Sequence, residues 1–152
     1  MTELHSYGYW AKDHLEDASN FTAPLEGKRN HAYLCEAGRW TIGYGRTKNV
    51  CPGDVCTDEQ AWEWLKEDVL ETINGLARYV NVPVSLGEFI ALTSLAFNVG
   101  VNRVARSKLL LKLNQGNREG ASLEFLDFNL VNGKVSKGLT KRRKIEYEEF
   151  LS

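Results

Sequence analysis

A chain of 152 residues is of single-domain size and can bury about 70% of its unfolded surface around one core. Its composition, 43% hydrophobic and 26% charged, is that of an ordinary globular protein, and no apolar run approaches the ~18 residues a membrane span needs. The formal net charge of −1 excludes a global pull towards nucleic acid or anionic wall polymers, so any attraction to a polyanion has to be local.

The N-terminal stretch MTELHSYGYWAKDHLED has neither the basic start nor the apolar core of a signal peptide, so a cytosolic product is expected unless something else exports it. A short helix is expected in the first twenty-odd residues, with Tyr9, Trp10 and Leu15 as its apolar face. Pro24 lies two residues before Glu26. Proline removes a backbone donor and crowds the preceding turn, so a regular helix continuing to Glu26 should be strained. Gly27 suits the residue after a helical turn.

Two β-prone runs follow, Ala32, Tyr33, Leu34 and Trp40, Thr41, Ile42, joined through Glu36, Ala37 and Gly38. Aromatic and β-branched residues on either side of a glycine-containing connection predict a hairpin. Strand alternation puts Thr41 and Gly43 on one face and Trp40 and Ile42 on the other. The hairpin would turn Cys35 and Thr41 back towards Glu26. A carboxylic acid facing a water-holding pair across a cleft is the layout glycoside hydrolysis requires.

Residues 46–55 read as a loop or short strand with a turn at Pro52 and Gly53. Cys51 and Cys56 flank that turn, and a disulfide could close it in an oxidising compartment; three reduced thiols are the other reading. His5, His14 and His31 have no ligand spacing with the cysteines, so no metal is expected. Thr57 to Gln60 forms a capping box, opening a helix over 58–80 on which Ala61, Leu65, Val69, Ile73, Leu76 and Val80 share a face. At that length it spans ~33 Å, enough to join two lobes.

Ser85 to Glu88 is a second capping box, before the nearly all-apolar FIALTSLAFNVG. That helix should be the buried centre of the C-terminal part. Helices over 107–114 and 118–128, a tight turn at Asn132 and Gly133, and a last helix over 139–150 complete the chain. The expected fold is α+β, mostly α: one domain over 1–152, with a β-containing lobe at about 15–60, a linking helix, and a helical lobe at about 84–151. Lys134, Lys137, Lys141, Arg142, Arg143 and Lys144 form a basic run, but Glu146, Glu148 and Glu149 offset it and no aromatics interleave, which argues against nucleic-acid binding.

Glu26 with Gly27, Ala32 with Tyr33, Gly38, and the run Trp40-Thr41-Ile42-Gly43-Tyr44-Gly45 resemble the active-site signature of the bacteriophage-type lysozymes, the endolysins of glycoside hydrolase family 24. In that family a Glu is followed nine positions on by Asp and fifteen on by Thr; here those places hold Glu26, Cys35 and Thr41. A thiol thus replaces a carboxylate. The resemblance implies a two-lobed lysozyme that cleaves the β-1,4 bond between N-acetylmuramic acid and N-acetylglucosamine in peptidoglycan and lyses the host. Glu26 would be the general acid, Cys35 and Thr41 the water-handling pair, and Tyr33, Gly38 and Asn98 substrate contacts. Arg46 would pair with Asp68, and either Arg142 or Arg143 with Glu26.

The same likeness implies no cofactor, a monomer, a phage holin for release from the host cytoplasm to the periplasm, and no stable membrane association. Some relatives with Cys at this place cage it in a disulfide, which here would engage Cys51 or Cys56. Two alternatives stand beside hydrolysis: a lytic transglycosylase, which needs only one acid, and an inactive wall-binding homologue.

Overall fold

The structure, a computed structural model, describes residues 2–152. A 3-10 turn at Tyr7–Trp10 leads into helix α1, Ala11–Glu26. A hairpin follows, β1 Arg29–Leu34 and β2 Trp40–Gly43, antiparallel, with Tyr33 opposite Thr41 and Leu34 opposite Trp40. Helix α2, Asp58–Ala77, links this part to the helices α3 Leu86–Val99, α4 Val101–Ala105, α5 Lys108–Asn114, α6 Arg118–Glu124 and α7 Lys137–Leu151. A second small hairpin, β3 Leu130–Val131 and β4 Lys134–Val135, precedes α7. Two lobes, mostly helical with little sheet, result.

The helical periodicity of α2 is realised: Ala61, Leu65, Val69, Ile73 and Leu76 are all buried. It ends at Ala77, three residues short of the expected Val80, so it spans ~30 Å. Thr57 accepts from the Gln60 N–H at 3.0 Å, but the return bond that would complete a capping box is missing. At α3 both halves are made: Ser85 Oγ accepts from the Glu88 N–H at 3.1 Å, and Glu88 Oε1 from the Ser85 N–H at 2.8 Å. Residues 87–96 of α3 are buried on every side, as the unbroken apolar sequence requires.

Three expectations are corrected. Helix α1 does run through Pro24 to Glu26. Proline deprives the Asn20 carbonyl of its donor, but Asn20 is exposed and the Gly27 N–H still closes the last turn on Ala23 at 3.1 Å. At the N-terminus it is Tyr7, not Tyr9, that enters the core, with its hydroxyl 2.6 Å from Thr93 Oγ1; Tyr9 is exposed. Finally, the last helix begins two residues early, because Ser136 caps it through the Leu139 N–H at 3.2 Å.

Candidate active site

Glu26 is the last residue of α1, and its side chain is 16% exposed. Arg142, in the second turn of α7, holds it: Nη1 lies 2.5 Å from Glu26 Oε2 and 3.4 Å from the Leu25 carbonyl. The same guanidinium donates through Nη2 to the Ser94 carbonyl at 3.1 Å and through Nε to Glu146 Oε2 at 3.1 Å. Five donors in a rigid fork let one arginine tie three helices together. Between Arg142 and Arg143, the structure therefore assigns Arg142 to Glu26.

Arg143 has a different task. It is fully buried, with Nε 3.2 Å from Glu146 Oε1, and Nη2 donates to Asn98 Oδ1. The 3.2 Å contact is a charge contact rather than an aligned hydrogen bond, since Arg143 Nε and Nη1 and Glu146 Oε1 have no hydrogen-bond partner. Burial pushes the Arg143 guanidinium down to about 10, against the pull of Glu146, and burial raises the Glu146 carboxyl. Two arginines and two glutamates thus form one compact network under the cleft.

The cleft itself has a volume of about 550 Å³, and Glu26, Gly45, Asp68, Phe97, Asn98 and Val101 are among its walls. Glu26 Oε2 is taken by Arg142, whereas Oε1 has no partner among the described residues. Gly45 beside it has φ +98, a backbone conformation that favours glycine, and a Cβ there would make only ordinary contact with that oxygen at 3.9 Å. Arg46, which follows it, contacts Asp68 at 3.2 Å and Glu67 at 3.3 Å and lies over the Trp64 ring at 5.5 Å. The expected Arg46–Asp68 pair is formed. Burial raises the Asp68 carboxyl, with Arg46 and then Lys48 opposing.

On the hairpin, Cys35 follows directly after β1. Its N–H donates to the Arg39 carbonyl at 2.9 Å, and its own carbonyl accepts from the Gly38 N–H at 2.9 Å. Gly38 has φ +78, so its role in the structure is to make this turn. Thr41 is buried at 4% exposure and donates to the Arg39 carbonyl at 3.0 Å. Hydrogen bonding with the Arg39 backbone first, and with the Thr41 side chain second, holds the Cys35 thiol below its ordinary value. Cys35 and Thr41 are therefore brought together. Tyr33 sits under the Arg29 guanidinium at 4.3 Å.

All three cysteines are free. The Cys51 loop is closed without sulfur: the Cys51 N–H donates to Asp54 Oδ2 at 2.8 Å and the Asp54 N–H to the Cys51 carbonyl at 3.1 Å. Burial raises the Cys56 thiol. No group of His, Cys, Asp and Glu among the described residues has the makings of a metal site. Two site residues escaped the sequence reading, Ser94 and Glu146. Ser94 was hidden in the apolar run of α3. Glu146 had a signal, since it lies four residues after Arg142 on one helical face.

The family model described as Phage lysozyme matches residues 23–146. An endolysin of Acyrthosiphon pisum secondary endosymbiont phage 1 is 45% identical over 131 residues, 84% of this chain and 90% of that protein. An endolysin of Bacillus phage B103 is 40% identical over 136 residues, 88% of this chain but 52% of the relative, so the chain spans about half of that protein's length. Among solved structures, the muramidase domain of SpmX from Asticaccaulis excentricus superposes with a TM-score of 0.84 at 30% identity, over 90% of this chain and 95% of that one. The matched segment runs from before Glu26 to Glu146, and on that extent the chain belongs to the phage lysozyme family.

Proposed function

We propose that this lysozyme (a muramidase and glycoside hydrolase) cleaves the β-1,4 bond between N-acetylmuramic acid and N-acetylglucosamine, with Glu26 as the general acid. One observation carries the reading: Glu26 has one oxygen fixed by Arg142 and the other, on the wall of a cleft, without a partner among the described residues. A proton on Oε1 faces the place where a glycosidic oxygen would lie, and protonating that oxygen makes the sugar a leaving group.

Cys35 and Thr41 are the proposed water-handling pair. The lowered Cys35 thiol supports a thiolate that accepts a proton from water as it attacks the sugar. The Thr41 hydroxyl, which donates to the Arg39 carbonyl, is the second group proposed to hold that water. Asn98 is the proposed substrate contact, and Arg143 sets its polarity. Arginine has only donors, so the atom facing it has to be Oδ1, and the Asn98 amide NH₂ is left to donate to a substrate oxygen such as an acetamido carbonyl. Tyr33 and Gly38 are kept as proposed contacts on the hairpin side.

Product analysis on purified sacculi tests the reading. Reducing-end muramic acid is expected. Products ending in 1,6-anhydro sugar would instead make the protein a lytic transglycosylase, and binding without any product would make it a wall-binding homologue. Release from the host cytoplasm through a phage holin, and action as a monomer, belong to the same proposal. Lysis on induction with and without a co-expressed holin tests the first, and sedimentation equilibrium the second.

A further inference from the structure

We propose that buried Glu146 is the counter-charge of the active-site acid: it offsets Arg142 and Arg143, so that Glu26 keeps its proton at the pH where the enzyme works. This rests on the general-acid reading of Glu26 given above. Glu146 does not line the cleft, so it is a positioning residue that acts through the two arginines.

Both arginines aim other groups. Arg142 fixes Glu26 Oε2 at 2.5 Å, and Arg143 donates to Asn98 Oδ1 on the cleft wall. Each also brings a full positive charge. Arg142, Arg143 and Glu146 are all buried, so salt screens these charges little. A cation beside a carboxyl favours the ionised form, which is the form that cannot donate. Two unopposed guanidinium groups would therefore strip Glu26 of the proton it has to deliver.

Glu146 sits between them. Its Oε2 lies 3.1 Å from Arg142 Nε and its Oε1 3.2 Å from Arg143 Nε, and the Ser94 hydroxyl donates to Oε2 at 2.5 Å. Arg143 Nε and Nη1 and Glu146 Oε1 have no hydrogen-bond partner among the described residues, so what joins Arg143 to Glu146 is charge. With Glu26 protonated, the four side chains carry one positive charge in excess; without Glu146 they would carry two. Burial raises the Glu146 carboxyl, and Arg143, Ser94 and Arg142 together oppose that rise.

The other charged groups around the acid are matched elsewhere. On the cleft walls Lys48 pairs with Glu71, and Arg46 pairs with Asp68. Lys28, two residues past Glu26, pairs with Asp58. Arg103 of α4 adds a further positive charge, felt at Arg143. Among the described residues, Glu26 and Glu146 are the only carboxylates in ion-pair contact with Arg142 or Arg143.

The test is the pH dependence of kcat/KM for reducing-end release from sacculi. Wild type is compared with Glu146→Gln and with the paired variant Arg143→Met, Glu146→Gln. Profiles are taken at about 15 °C, near the usual maximum of stability, with circular dichroism confirming folded protein at each pH. Glu146→Gln should bring the alkaline fall in activity down by about one pH or more, about a tenfold loss at a fixed pH on that limb. The paired variant removes one charge of each sign, so its limb should return to the wild-type position. A clamp that merely held the helices together would lower activity in both variants and leave both limbs in place, which overturns the proposal. A limb still displaced in the paired variant overturns it as well. Should Glu146→Gln not fold, Ser94→Ala decides: withdrawing that donor from Glu146 should move the limb the same way by less, and an unmoved limb overturns the proposal. Unmoved limbs in an active wild-type series sink this inference alone, whereas a wild type that releases no reducing ends sinks the lysozyme reading. Carbon NMR of the Glu26 carboxyl would then read the same displacements without turnover.

Discussion

The two regions that carry the proposed chemistry are built differently. On the α7 side, Glu26 belongs to a network of Arg142, Arg143, Glu146, Ser94 and Asn98 in which both arginines and Glu146 are buried and three helices meet. On the hairpin side, Cys35 and Thr41 sit at the end of a two-stranded sheet and are fixed by short-range hydrogen bonds to Arg39. A proton donor has to be aimed and protected from free solvation. On the proposed reading the deep side therefore couples chemistry to stability, and the hairpin side keeps them apart.

Glu146→Gln strikes that distinction hardest. It leaves two buried guanidinium groups with one fewer counter-charge, and breaking a buried pair from one end costs about 3–5 kcal/mol. Urea unfolding should show a loss of that size, with activity falling too. A loss under about 1 kcal/mol would mean that the network does not hold the acid in place. On the opposite side, Cys35→Ser should leave the unfolding midpoint almost unchanged while lowering turnover about 100-fold or more, the scale of a lost general base. Equal damage to stability would erase the contrast between the two sides.

Cys35→Asp sharpens it. The thiolate is lost as pH falls through the Cys35 value, which lies below that of an ordinary thiol. A carboxylate stays ionised down to about pH 4. The acid limb of the pH–rate profile should therefore move to lower pH in Cys35→Asp, and an unmoved limb would remove Cys35 from water activation. A smaller effect is expected at the cleft rim: Arg46→Met should cost about 1 kcal/mol or less, shrinking with added salt, because the Asp68 contact is partly exposed.

A last effect, confined to alkaline pH, lies far from the cleft. Burial raises the Tyr7 hydroxyl well above its usual range. A group whose folded value is raised gives stability that is complete below its unfolded value and is lost as pH rises. Wild type should therefore lose stability above about pH 10, where Tyr7 ionises only in the unfolded chain, by up to ~1.4 kcal/mol per pH unit. Tyr7→Phe should lack that slope. Parallel curves for the two proteins would refute it.

The local motifs were readable before the fold was. The hairpin, the Ser85–Glu88 cap and the buried face of α2 all follow from patterns a few residues long. Features set by distant partners were not readable. Which arginine meets Glu26 depends on how α7 docks beside α3, and the choice of Tyr7 over Tyr9 depends on Thr93, 86 residues away. Helix α4 has five residues, too few for a periodic signal, and it packs closely on α2 at Gly75, where a Cβ would lie a tight 3.3 Å from Val101. Cys51 and Cys56 invited a disulfide from their spacing, whereas Asp54 already closes the loop.

The central claim is that a single carboxyl, steadied by Arg142 and open on its other oxygen, delivers the proton. Glu26→Gln keeps the shape and a hydrogen-bond acceptor for Arg142 but cannot act as that acid. Reducing-end release from sacculi should fall by about a thousandfold or more, within the range for loss of a general acid, with the folded protein still present by circular dichroism. A Glu26→Gln enzyme that kept a tenth or more of wild-type release would contradict the account.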